Sequence, residues 1–144
     1  MWKINTGSDE GIVVNTFEGK FDTDILLNYV KSNIYCWAIY PVIWDFSKAD
    51  VNSTLTEDII TIVKETKAIS KIRKGEKTAI VTSSDRSYGL AEMFVSLAKQ
   101  AGFYIEFQSF RDYTDAKKWL LRCYNKKHLI SGSTRKHAAT DALR

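Results

Sequence analysis

Val42-Ile43-Trp44-Asp45-Phe46-Ser47, followed by a short polar turn and then by Asn52-Ser53-Thr54-Leu55-Thr56-Glu57, is the stretch on which the fold turns. The first six residues have the β-branched and aromatic composition of a strand. The second six carry hydroxyls and a carboxylate, the groups that satisfy the orphan N–H donors of a helix start. Thr54 with Glu57 three residues on has the spacing of a capping box. A hydroxyl there is also a place where an added phosphate meets the positive end of a helix. A strand running directly into a helix is the unit from which alternating α/β folds are built.

The unit extends in both directions. Upstream, Trp2–Asn5 and Ile12–Phe17 are β-rich runs around Gly7-Ser8-Asp9-Glu10-Gly11, the composition of a hairpin turn. Asp22 is placed to cap a first helix, with Phe21 as its staple and Ile25, Leu26, Tyr29 and Val30 on one face. Pro41 suits the first position of the next strand. Downstream, Leu55, Ile59, Ile62, Val63, Thr66 and Ile69 form the expected buried stripe of the second helix, which Gly75 ends. Lys71, Arg73 and Lys74 there suit the negative end of the helix dipole. Lys77–Thr82 is then a strand, Ser84–Gly89 a polar loop, and Leu90, Phe94, Leu97, Ala98 and Ala101 the apolar face of a third helix stopped by Gly102. Phe103–Phe107 is the expected last strand and Asp112–Tyr124 the last helix. The sum is a single-domain α/β sandwich: a mixed, mostly parallel sheet of about five strands, an N-terminal hairpin and four flanking helices.

At 144 residues the chain fits one domain, long enough to bury roughly 68–70% of its unfolded surface. The formal charge is +4, but Met1–Tyr124 holds 16 basic against 16 acidic residues, and the excess lies in 125–144, where five basic residues meet one acid. The domain is therefore expected over 1–124, with 125–144 a flexible basic tail. No aromatic residue interleaves the tail's charges, so nucleic-acid binding is not expected. Both histidines, His128 and His137, fall in the tail, and Cys36 and Cys123 lie outside any zinc-ligand spacing, so neither a metal nor another cofactor is expected. Two cysteines and no secretory leader suit a cytoplasmic protein. The longest apolar run, Ile34–Trp44, is interrupted by Pro41 and falls well short of the ~20 residues that cross a bilayer.

Taken together, Trp44-Asp45-Phe46-Ser47, Thr78-Ala79-Ile80-Val81, Tyr88-Gly89-Leu90-Ala91-Glu92-Met93, and Phe110-Arg111-Asp112 with Ala116 and Trp119-Leu120 resemble the STAS superfamily, the sulfate transporter and anti-sigma factor antagonist domain, and in particular its SpoIIAA-like branch. The resemblance spans Trp2–Tyr124 and implies a mostly non-enzymatic module that works through a protein partner, with a second copy of the chain as one candidate. In the anti-sigma antagonists a serine at the second helix's N-terminus, preceded by aspartate and followed soon by glycine, is phosphorylated by a partner kinase. That pattern places Ser53 and Thr54 at the switch. Here the aspartate is missing, and Leu55 and Thr56 stand in the glycine region.

Asp45, at the C-terminal end of its strand, and Arg86 and Tyr88, in the loop after the fourth, share the sheet edge where crevices of open α/β sheets form. With Ser53 and Thr54 they are the expected partner surface. Asp45 also has a purely local reading, accepting backbone N–H groups from the turn after it. Catalysis is not expected: Asp45, Asp85 and Ser84 are the candidate groups on that edge, and a serine without a histidine or lysine has no activating base. The alternative to a signalling module is a carrier of a small apolar ligand or lipid, since the resemblance extends in fold to CRAL-TRIO carriers. Trp2, Trp37, Tyr40 and Trp44, with Tyr35, would line such a pocket or else fill the core.

Overall fold

A computed structural model describes residues 1–122. Its strands are β1 (Trp2–Asp9), β2 (Ile12–Lys20), β3 (Val42–Asp50), β4 (Lys77–Val81) and β5 (Glu106–Phe110). The helices are α1 (Thr23–Asn33), α2 (Thr56–Thr66), α3 (Asp85–Gln100) and α4 (113–122), with 3-10 turns over Ile34–Trp37 and Ala68–Arg73. β1 pairs antiparallel with β2, the other pairs are parallel, and the spatial order is β1-β2-β3-β4-β5. This is the expected α/β sandwich. The expected tail over 125–144 lies outside the described residues.

The order decides where the helices go. Right-handed crossovers that always step in the same direction put every connecting helix on one face of the sheet. Leu26 and Leu27 of α1 and Ile59 and Ile62 of α2 accordingly pack with Val42 and Trp44 on that face, with Leu90, Phe94 and Leu97 of α3 at the margin. The other face is covered by α4, whose Ala116, Trp119 and Leu120 pack on Ile12, Ile43, Ala79 and Val81. Among the described residues no helix is long and apolar enough to cross a membrane.

Several local expectations shift. The hairpin strands run further than their β-rich cores, because Glu10 (φ 51°) and Gly11 (φ 82°) close a two-residue turn whose twist matches long strands. Thr6–Asp9 is therefore strand rather than loop. Gly19 (φ 91°) is obligatory for a different reason: a Cβ there would lie 2.0 Å from the Met1 carbonyl oxygen. The last strand begins three residues later than expected. Gly102 N–H donates to Lys99 O (3.1 Å) and Phe103 N–H to Ala98 O (3.1 Å), a Schellman closure that commits Phe103 to ending α3. Phe110, expected beyond the last strand, consequently belongs to β5. Asp22 is the N-cap expected, accepting from Ile25 N–H, whereas Ser84–Gly89 is not the expected loop: Ser84 caps α3 by accepting from Ser87 N–H, and Asp85–Gly89, with Arg86 and Tyr88, form the helix's first turns.

The α2 region holds the largest corrections. The helix stops at Thr66, and the chain turns through the 3-10 segment before Gly75. Arg73 does not serve the helix dipole from the surface. It is 3% exposed, and its guanidinium donates to Trp37 O (3.2 Å), Tyr40 O (2.7 Å), Lys77 O (3.2 Å) and Thr78 Oγ1 (2.5 Å). Burial lowers its pKa to about 10, an effect that the charge of Glu76 partly offsets. One side chain thus ties the end of the 3-10 turn to the segment before β3 and to the start of β4. Arg73→Met leaves three carbonyls short of a donor, that of Trp37 buried and those of Tyr40 and Lys77 half-buried, and unpaired buried groups cost about 1–3 kcal/mol each before relaxation. Urea unfolding of this variant should show a loss of about 2–4 kcal/mol, against less than about 1 kcal/mol for Lys71→Met at the surface.

Candidate functional site

β3 outruns β4, and this creates the edge at which the expected residues gather. β4 pairs with β3 only from Val42 to Asp45, so Phe46–Asp50 continues with β2 alone. Between the Thr16–Asp45 and Glu18–Lys48 pairs, Phe46 and Ser47 oppose the single residue Phe17, which makes a β-bulge. A bulge disturbs the ladder, and Asp45 Oδ1 accepts the Ser47 N–H at 2.9 Å. Ser83 Oγ donates to Ser47 O (2.8 Å) and ties the loop after β4 to the same place.

Beyond β3, Asp50 Oδ1 accepts from Asn52 N–H (2.9 Å) and Val51 O from Thr54 N–H (3.0 Å), which folds the turn tightly. Arg86, from the first turn of α3, reaches across to donate to Val51 O (3.2 Å) and Thr54 O (2.5 Å). The turn before α2 is thereby fastened to α3 by one exposed side chain. The expected Thr54–Glu57 capping box does not form. Leu55 is the N-cap residue, its N–H donates to Asp58 Oδ2 (2.7 Å), and its carbonyl accepts from Asp58 N–H (3.0 Å).

That one-residue shift exchanges inside and outside. Thr54 is 4% exposed and faces the interior, whereas Leu55, expected in the buried stripe, is 58% exposed. Ser53 and Thr56 are exposed on either side. Of the two hydroxyls at the expected switch, only Ser53 is open to solvent.

The other expected residues do not all join them. Tyr88 lies beneath the Arg111 guanidinium, 4.5 Å from its ring centre, and Arg111 pairs with Asp85 at 2.6 Å. Asp45 is in register with Thr16 and Val81, hence on the α4 face, across the sheet from Thr54 and Arg86. Its charge is felt there by Tyr113, whose hydroxyl pKa is pushed up first by burial, then by its hydrogen bond to Asp9 (2.7 Å) and the charges of Asp9 and Asp45. Among the described residues no group of three or more His, Cys, Asp or Glu side chains is arranged to hold a metal ion.

The aromatic residues divide similarly. Trp37 and Trp44, with ring centres 6.1 Å apart, line a cavity of about 140 Å³ between the sheet and the α1–α3 layer. Trp2 is 48% exposed on the edge strand, Tyr35 is exposed, and Tyr40 is half-buried outside the cavity lining, with its carbonyl bonded to Arg73. Thr54, Thr82 and Arg73 also line the cavity, and composition gave no sign that these polar residues would be inside.

No protein-family model matches the chain, and neither does any curated protein. Among solved structures, an anti-sigma factor antagonist from Mycobacterium paratuberculosis is similar, with a TM-score of 0.60 and 13% identity, over 83% of this chain and 94% of that one. The chain has the STAS-type α/β fold of that protein.

Two measurements check the electrostatics and the fastening. The Asp9 pKa is lowered, first by the Tyr113 hydrogen bond, then by the hydrogen bond and charge of Lys117. The unfolded chain therefore binds this proton more readily than the folded one. The resulting stability is present above the ordinary carboxylate pKa and is lost as pH falls through the depressed value. Urea midpoints taken stepwise between about pH 5 and pH 2 should fall less steeply for Asp9→Asn than for the parent. Arg86→Ala should speed amide hydrogen exchange selectively over residues 52–56, with exchange in β4 unchanged.

Proposed function

We propose that this chain is a non-catalytic regulatory module of the cytoplasm that acts by binding another protein through the 50–57 turn, the start of α2 and the loop before α3. The observation that carries this reading is the inversion at Thr54 and Leu55: an apolar side chain stands in solvent at a helix start, flanked by the exposed hydroxyls of Ser53 and Thr56. A lone exposed leucine is ordinary in itself. Here it sits on a turn held rigid by Arg86, on the fold of an anti-sigma factor antagonist. A preordered apolar anchor with a polar rim is the arrangement that protein interfaces use.

Ser53 is the hydroxyl we assign to switching. A phosphate there would add charge and bulk at the rim, beside Asp50, Glu57 and Asp58, and would act by repelling a partner rather than by forming a new contact. Carriage of a lipid is the weaker reading, because a cavity of about 140 Å³ is the size that takes a single ring, not an acyl chain. The test compares affinity capture and cross-linking by the parent, Leu55→Asp, Ser53→Glu and Ser53→Ala. Partners held by the parent and by Ser53→Ala should be lost at least tenfold with Leu55→Asp and Ser53→Glu, at unchanged thermal midpoints. Equal capture by all four proteins would remove this surface from consideration.

A further inference from the structure

We propose that the cavity between the sheet and the α1–α3 layer is a binding site for a small neutral molecule, one apolar ring or its equivalent in bulk with a single hydroxyl, and that Thr82 is its polar anchor. The shape argument comes first. The cavity measures about 140 Å³ and its walls are largely apolar, including Leu26, Ile34, Trp44, Ile59 and Phe94. Apolar cavities near 150 Å³ stay dry and take up benzene.

The polar residues in the wall then select the ligand's one functional group. Thr66 Oγ1 donates to Ile62 O (2.7 Å), Ser70 Oγ to Lys67 O (2.7 Å) and Ser87 Oγ to Ser84 O (3.1 Å), while Thr78 Oγ1 accepts from Arg73. Those four hydroxyls are committed within the chain; Thr54, buried at 4% exposure, is the other hydroxyl of the wall beside Thr82. Thr82 is 2% exposed, and among the described residues its Oγ1 has no hydrogen-bond partner. A buried hydroxyl left in that state lowers stability, and a ligand that pairs with it recovers the loss. Arg73 is the charged residue of the wall, but its Nε, Nη1 and Nη2 already donate to three carbonyls and Thr78. A carboxylate would find few donors left and would have to shed its hydration against an apolar wall, so the fitting group is a neutral hydroxyl.

The experiment titrates the full chain with phenol, benzene and benzoate, tracking saturable shifts of amide resonances near Ile80–Ser83 and the thermal midpoint. Phenol should bind more tightly than benzene by about 3- to 10-fold, the worth of one net hydrogen bond, and benzoate more weakly than phenol. Thr82→Val, nearly isosteric, should erase the preference for phenol while leaving benzene affinity within about twofold. Ala91→Leu, which fills the cavity from α3, should weaken both by more than tenfold; if that variant does not fold, Thr82→Val still decides. The absence of saturable binding of phenol and benzene to the parent, a preference for phenol that survives in Thr82→Val, or tighter binding of benzoate than of phenol would each overturn the proposal. None of these outcomes depends on the protein-binding surface, whose variants lie outside the cavity.

Discussion

Handedness governs this molecule more than any single contact does. Once the strands are laid down in sequence order, right-handed crossovers leave α1, α2 and α3 no choice but a common face. That face has to be filled by side chains long enough to span the gap between sheet and helices. The chain supplies Phe21, Trp37, Trp44 and Phe46, with the Trp44 and Phe46 rings stacked at 5.6 Å. Large rigid rings cover area well but tile an irregular space poorly, and the cavity is what they leave between them. The opposite face is covered by α4, where Ala116 and Ala79 pack among Ile12, Ile43, Val81, Trp119 and Leu120.

The two ends of the helical layer are held by arginines of opposite character. At the N-terminal ends of β3 and β4, Arg73 is buried and its hydrogen bonds go to three carbonyls and a hydroxyl. Removing it would orphan one buried and two half-buried carbonyls and the Thr78 hydroxyl at once, so that end is held firmly. At the C-terminal ends, Arg86 is exposed and holds Val51 O and Thr54 O, groups at the margin of the fold. Water can replace an exposed donor at small cost. The turn before α2 therefore depends on Arg86 in a place where the bonds stand at the surface, while the start of the sheet depends on Arg73 from inside.

Features with local signals were legible in the chain, and features set by depth were not. Asp22 and Gly102 announce helix ends through chemistry that acts within a few residues, a capping carboxylate in one and a backbone free to take φ 78° in the other, and both stand where that chemistry places them. The strand at Val42–Ser47 and the alternation of elements were legible for the same reason. Lys71, Arg73 and Lys74, by contrast, look alike as a basic cluster, and only the packing of the 3-10 turn against the Trp37–Tyr40 segment takes the middle one inside. Phe103 has the β-rich neighbours of a strand residue, but the α3 closure claims its N–H, and the start of β5 moves three residues on. Asp45 and Arg86 share a sheet edge, as their places in the chain suggested, yet the two-residue alternation of a strand puts Asp45 on the far face.

The turn before α2 gives the neighbouring residues opposite environments in its own way. Ser53 and Thr54 are adjacent, and a sequence reading treats them as interchangeable hydroxyls. Ser53 stands at the tip of the turn that Thr54 N–H closes onto Val51 O (3.0 Å), so it enters solvent, while Thr54, where the chain leaves the turn, enters the cavity wall. Leu55, extended at φ −110° and ψ 165°, points away from the side that Thr54 takes and returns an apolar side chain to the surface. Helical periodicity would have buried it, and that expectation fails because the helix begins after Leu55, with the Asp58 carboxylate closing its first turn. A shift of one residue in a helix start is small on the scale of a fold. At this position it decides which hydroxyl a partner meets and which one lines the cavity, and it leaves the two separated by no more than the thickness of the main chain.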